Sequence, residues 1–226
     1  MTTLTARHWP AALRVLVHLG SLQPLLKLLW DGYRRDLTVN PIQEVTQRTG
    51  YAALVLLVLS LACTPANTVL GWRWAVPPRR TLGLYAAFYA TLHFATFVFV
   101  DYGLDWNLIQ EAIVEKRYVL AGFSAFLLLV PLALTSTKGW QRRLGKRWRV
   151  LHRATYLAAP LAVLHFLWLV KGGSDRVEPA LYGLAVTILL ALRLPQVKRL
   201  AYQRRSQRKP LPLVAPHAET PAAEGR

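Results

Sequence analysis

The stretch RWRVLHRATYLAAPLAVLHFLW, residues 147–168, runs from a dense basic cluster into an almost wholly apolar segment. It carries two histidines 13 positions apart, His152 and His165. A third, His93, lies inside another uncharged run, residues 81–100. Imidazole is a common metal ligand. Two imidazoles from different helices, at similar depth in an apolar bundle, can grip one metal from opposite sides. In such a bundle that metal is commonly a haem iron. A bare zinc or copper site would add carboxylates, cysteines or a third close histidine. None is present at that depth.

These residues must be held by membrane-crossing helices. No charge occurs in residues 49–72, 81–100 or 118–137, windows of 24, 20 and 20 positions, and residues 154–170 add 17 more. A bilayer core asks for about 20 apolar residues per helix. Two weaker segments flank them. Residues 13–30 carry Arg14 and Lys27 near their ends, where long side chains snorkel, and residues 177–194 are bounded by Glu178 and Arg193. The expectation is an all-α integral membrane protein, a six-transmembrane helix bundle. A cleaved signal peptide at the start is not expected: the first apolar stretch is too long and contains His18.

Charge sets the orientation. Lys and Arg number three, six and seven in residues 65–80, 138–149 and 193–209, against three, two and two in residues 31–50, 101–117 and 171–178. The second group also holds most of the acids. By the positive-inside rule both termini are cytoplasmic. The formal net charge of +17 is then explained by topology, and no nucleic acid is expected as a partner. The tail KRLAYQRRSQRKP suits anionic lipid head groups. Beyond it, LPLVAPHAETPAAEGR reads as disordered, with His217 solvated. The division is a cytoplasmic N-terminus 1–12, a helical domain 13–194 and a basic then disordered cytoplasmic tail 195–226.

Orientation gives depth. His93 lies about 17 Å and His165 about 22 Å from the cytoplasmic side, both in the outer half of the bilayer, while His152 is only about 3 Å in, level with Arg79. A structural role, each histidine hydrogen-bonding a neighbouring helix, suits a single intramembrane histidine better than a depth-matched pair. His152, beside Arg149 and Arg153, is either an interfacial side chain or the ligand of a second haem whose propionates those arginines hold. Two irons would then stand about 20 Å apart along the membrane normal. On an ideal helix His152 and His165 point about 140° apart. Pro160 between them is expected to kink the helix. His18 has no obvious partner, and a structural role is expected of it. The lone Cys63 is expected to be a buried, inert thiol. Ser136 and Thr137 read as caps or carbonyl partners, with no paired base.

Taken with these histidines, the motifs NPIQEVTQRTGYAAL, LGLYAAFYATLHF, EKRYVLAGFSAFLLLVPLALTS, and LGKRWRVLHRATYL followed by HFLW resemble the ferric-reductase-like transmembrane family. More closely they resemble its MsrQ family of haem-binding membrane subunits, over nearly the whole length up to the tail. The resemblance implies that His93 and His165 are axial ligands of a haem b nearer the periplasm, and that His152 ligates an inner haem. The wider family would place a further histidine about 14 residues before His93; Arg79 stands there, so an inner haem lacks an evident second histidine.

The resemblance further implies a bacterial inner-membrane subunit that draws electrons from the quinone pool or a flavin donor. FMN is implied as a further cofactor. The partner it implies is a periplasmic molybdopterin reductase of the MsrP type, which reduces methionine sulfoxide in oxidised proteins. No G-x-G-x-x-G turn occurs, so hydride from a nicotinamide is not expected to be accepted unaided. Two other readings stay open: a small transporter or proton channel with histidine relays, and a structural membrane protein without redox chemistry. A ferric-reductase-like cytochrome with another acceptor is a further variant. The relay reading expects acids within the spans and inverted repeats. No acid lies inside the four central windows, and no inverted repeat is seen. The outward segments DYGLDWNLIQEAIVEKR and DGYRRDLTVNPIQ are the extended surfaces for docking a partner, or simply close the helix ends. The loop LTSTKGWQRRLGKRW suits a donor's phosphates or acidic surface, or simply reflects positive-inside topology and lipid contact.

Overall fold

The computed structural model describes residues 10–170 and 173–207. Most of the N-terminal segment 1–12, Lys171, His217 and the last part of the basic tail lie outside the described residues. Every element described is helical. The order is α1 (Ala11–Arg34), α2 (Pro41–Pro65), α3 (Pro78–Ala95), α4 (Trp106–Glu115), α5 (Arg117–Leu134), α6 (Lys138–Leu144), α7 (Lys146–Leu151), α8 (Thr155–Leu169), α9 (Val177–Ala191) and α10 (Pro195–Gln207). π-Helical turns extend α2 through Ala66–Leu70 and α3 through Thr96–Asp101.

Five helical stretches are long and apolar enough to cross a membrane: Ala11–Arg34, Pro41–Leu70, Arg73–Asp101, Arg117–Leu134 and Lys146–Leu169. The sixth expected segment forms α9, an apolar helix of 15 residues. The helix starts follow from local chemistry. Asn40 caps α2 by accepting from the Gln43 N–H at 3.1 Å, with Pro41 at the first helical position. Asp105 caps α4, and Thr137 caps α6. Ser136 donates to the Leu132 carbonyl, so both hydroxyls act on backbone as expected.

The four central helices pack in the cyclic order α2, α3, α5, α8, with α9 against α8 and α2. The closest packings are α2 on α3 and α5 on α8. Small residues permit them: Ala86, Ala158 and Ala159 are fully buried, and the Ser60 hydroxyl bonds the Arg79 carbonyl at 2.8 Å. Large apolar side chains such as Leu59, Phe88, Leu120 and Leu127 face outward, as a lipid-facing surface requires. Cys63 is buried, as expected.

One side chain enters the backbone of helix α1. Tyr89 on α3 is buried, and its hydroxyl accepts from Leu25 N–H at 3.1 Å and donates to Ser21 carbonyl at 2.7 Å. Those two backbone groups would bond each other in an uninterrupted helix. The hydroxyl therefore sits inside the ladder of α1 next to Pro24, where the chain has already lost one donor. His18, one turn earlier, bonds the Tyr85 hydroxyl at 2.9 Å, the structural role expected of it.

Candidate haem site

His93 on α3 and His165 on α8 come from opposite corners of the four-helix ring. Their ring centroids stand 5.9 Å apart with planes at 83°. Both side chains are half-buried. Each is fixed by a backbone carbonyl across its hairpin. His93 Nδ1 lies 2.8 Å from Thr46 O, and His165 Nδ1 lies 2.6 Å from Tyr118 O. A carbonyl can only accept, so each Nδ1 carries the proton and each Nε2 carries the lone pair. That is the tautomer a metal ligand needs, and the Nδ1–H to carbonyl bond is the usual support for one.

The spacing fits one metal between the rings. With a metal–nitrogen bond of about 2 Å, and a nitrogen about 1 Å from its ring centre, two opposed imidazoles stand about 6 Å apart. Glycines make the room. A Cβ on Gly50 would lie 2.9 Å from His93 Nδ1, and one on Gly122 would lie 2.6 Å from His165 Nδ1. An apolar groove of about 270 Å³ between α3 and α5, lined by Leu84, Ala87, Phe88, Thr91, Phe126 and Leu129, opens beside the ring. Among the described residues no group of three or more His, Cys, Asp or Glu could hold a bare metal ion. The donor set suits a metal that brings its own equatorial ligands.

The two halves of the site are built alike. Each has a carbonyl at one position, a glycine four residues on, and a histidine 47 residues beyond the carbonyl. Thr46, Gly50 and His93 correspond to Tyr118, Gly122 and His165, every pair 72 positions apart. The motif A-x-L-H-F appears at 90–94 and again at 162–166. The repeat is direct, not inverted: in chain order α2 with α3 corresponds to α5 with α8.

His152 is held differently. It begins a short 3-10 turn, His152–Ala154, between α7 and α8. This interruption lies ahead of Pro160, which sits within α8. Winding three residues at about 120° instead of about 100° each brings His152 and His165 from about 140° to about 80° apart. His152 Nε2 stands 3.2 Å from Thr135 Oγ1, whose own proton goes to the Pro131 carbonyl at 2.6 Å. Its ring packs on Trp148 at 4.0 Å between centroids, and Trp148 Nε1 donates to the Thr135 carbonyl. Arg79 lies close enough to act on His152 electrostatically, as their shared depth implied. No second imidazole accompanies His152 among the described residues. Arg149 and Arg153 flank it on the exposed surface.

Of the residues singled out from the sequence, the structure brings His93 and His165 together and leaves His152, Arg149 and Arg153 away from them. Sequence reasoning missed Gly50, Gly122 and the two carbonyls, and the signal for them was the direct repeat.

The family model for the ferric reductase like transmembrane component matches residues 49–163. The heme-binding subunit MsrQ of protein-methionine-sulfoxide reductase from Deinococcus radiodurans is 48% identical over 196 residues, covering 85% of this chain and 93% of that protein. The Rhodospirillum rubrum subunit of the same name is 46% identical over 191 residues, with 82% and 89% covered. That of Herminiimonas arsenicoxydans is 39% identical over 200 residues, with 88% and 90% covered. No solved structure matches the chain.

Proposed function

The chain belongs to the ferric-reductase-like transmembrane family and, within it, to the heme-binding MsrQ subunits of protein-methionine-sulfoxide reductase, and from that premise we propose that it is a haem b electron-transfer subunit of the bacterial inner membrane. It draws electrons from the quinone pool or a flavin donor, with FMN as a further cofactor. It delivers them to a periplasmic molybdopterin subunit of the MsrP type, with which it pairs as a heterodimer. The observation that carries this reading is the His93–His165 pair, each ring anchored through Nδ1 and offering Nε2.

A bound haem supplies reversible one-electron chemistry at its iron. The chain's own residues do the rest. Thr46 and Tyr118 carbonyls fix the two tautomers and orient the rings. Gly50 and Gly122 let the helices approach them. The apolar shell of the bundle keeps water from the site. His152, with Arg79, Arg149 and Arg153, marks the cytoplasmic end, where an inner haem would be held.

The topology we propose has six spans, both termini in the cytoplasm and a haem domain over residues 13–194, between a cytoplasmic segment 1–12 and a lipid-facing tail 195–226. The basic loops support it. On the opposite face α4 buries Ile109 and Ala112 and exposes Trp106, Leu108 and Val114 beside Glu111 and Glu115, which suits a docking partner. Arg48 binds both Asp31 and Glu44 there, tying α1 to α2.

The test is the colour of the purified protein and its haem content, with a reduced-minus-oxidised spectrum. Bands of b-type haem and reoxidation by the periplasmic subunit are expected. A colourless protein from haem-replete cells overturns the reading.

A further inference from the structure

Near the His152 end of the bundle lies a charge that the described chain does not neutralise. Arg193 follows α9 and is nine-tenths buried, with 9% relative exposure. One guanidinium nitrogen donates to the Tyr156 hydroxyl at 2.8 Å and another to the Leu61 carbonyl at 2.6 Å. Its Nε is shut from solvent without a partner. Arg79 reaches the same region, donating to Thr64 Oγ1 at 3.2 Å. The two arginines therefore meet α2 at Leu61 and Thr64, positions less than one helical turn apart.

Every partner bonded to these arginines is neutral. The ion pairs of Arg34 and Arg48 lie elsewhere. The sequence has no Asp or Glu between Glu44 and Asp101, between Glu115 and Asp175, or between Glu178 and Glu219. A guanidinium does not shed its proton in a protein. Burying it unpaired costs several kcal/mol, and a second like charge adds to that. The direct repeat also breaks here: 72 positions before His152 and Thr135 stand Arg80 and Cys63. The half of the bundle with His93 and His165 carries matching histidines, whereas this half carries arginines.

We propose that Arg193 and Arg79, with the Tyr156 and Thr64 hydroxyls, form an oxyanion site within the bundle that takes the carboxylate or phosphate of a bound molecule. The planar fork of Arg193 matches either group. Its partnerless Nε is a donor ready for it. The Tyr156 hydroxyl accepts from Arg193 and so keeps its own proton to donate. The site stands apart from the His93–His165 pair; it shares Arg79 with the His152 end of the bundle, and in that respect rests on the function proposed above.

The experiment uses the full chain in detergent, stripped of bound ligands, as wild type, Arg193→Gln, Arg193→Lys and the exposed control Arg35→Gln. Binding is read by tryptophan quenching for two matched pairs: haem b against its dimethyl ester, and flavin mononucleotide against riboflavin. Lipid phosphorus retained per polypeptide is measured before stripping. One acid-bearing member should bind at least roughly tenfold tighter than its neutral counterpart, as a charge-assisted contact gives. Arg193→Gln should erase that preference, Arg193→Lys should keep part of it, and the control should keep it whole. If neither pair discriminates but Arg193→Gln releases lipid phosphorus, a phospholipid head group is the source of the oxyanion. No preference and no phosphorus loss overturns the site, as does a preference that survives in Arg193→Gln. Should Arg193→Gln not accumulate, Arg79→Gln is judged by the same readouts. The low-spin signal of the His93–His165 pair is recorded in every variant before stripping, so its failure and that of the oxyanion site are seen separately.

Discussion

A methyl group placed on Gly122 would stand 2.6 Å from Nδ1 of His165, closer than the ring can tolerate while it keeps its bond to the Tyr118 carbonyl. Helix propensity alone favours alanine over glycine by about 1 kcal/mol. Gly122→Ala therefore sets two effects against each other, and the crowding wins at the site. The variant should keep its helix content while haem affinity falls by about 10- to 100-fold, the usual scale for a displaced supporting contact. Gly50→Ala, with its nearest approach at 2.9 Å, should be milder. Circular dichroism and haem per polypeptide check both. Wild-type haem content in Gly122→Ala would mean that His165 does not hold the metal in this orientation.

The repeat makes His93 and His165 equivalent, so their loss should look the same. His93→Ala and His165→Ala should each remove most of the low-spin b-type signal from the reduced spectrum. If both variants retain the wild-type spectrum, the ligand assignment is wrong. If only one does, the symmetry is structural without being functional.

The helices were legible because charge is so unevenly placed: an uncharged window of 20 residues has few soluble uses. His93 and His165 were legible because an imidazole within a long uncharged run stands out from its neighbours. Their supports were not. Gly50 and Gly122 matter only through rings more than forty positions away, a relation that tertiary packing creates. The A-x-L-H-F repeat did carry the symmetry, in direct order, where transporter logic looks for inversion. The turn at His152–Ala154 left no mark comparable to Pro160, since a 3-10 turn needs no special residue. The buried charge at Arg193 was hidden for a related reason: at a span's end an arginine reads as a snorkelling side chain.

His152 tests the inner side. Its Nε2 is engaged by Thr135, unlike the Nε2 of the outer pair, so removing it should leave the outer haem largely in place. His152→Ala should slow reduction by an external donor much more than it lowers outer haem content. Stopped-flow reduction and haem quantification on the same samples separate the two. Unchanged turnover with the periplasmic subunit would refute a role for His152 in electron uptake.

Tyr89 tests the coupling of α1 to the ligand helix. Its hydroxyl is bonded at once to Ser21 O and Leu25 N, groups on a helix otherwise little buried. Tyr89→Phe removes one oxygen from a buried position and leaves two backbone groups to find each other or go unpaired. The cost should be about 1–3 kcal/mol, seen as a fall of several degrees in the melting temperature of the detergent-solubilised protein. Tyr89 lies one turn before His93 on the same helix, yet its hydroxyl is bonded to Leu25 and Ser21 and not to the Thr46 carbonyl that holds the imidazole. The low-spin spectrum should therefore survive at temperatures below the melt. Loss of haem from a Tyr89→Phe protein that still melts like wild type would show the opposite: that α1 positions His93 directly, with little part in holding the fold.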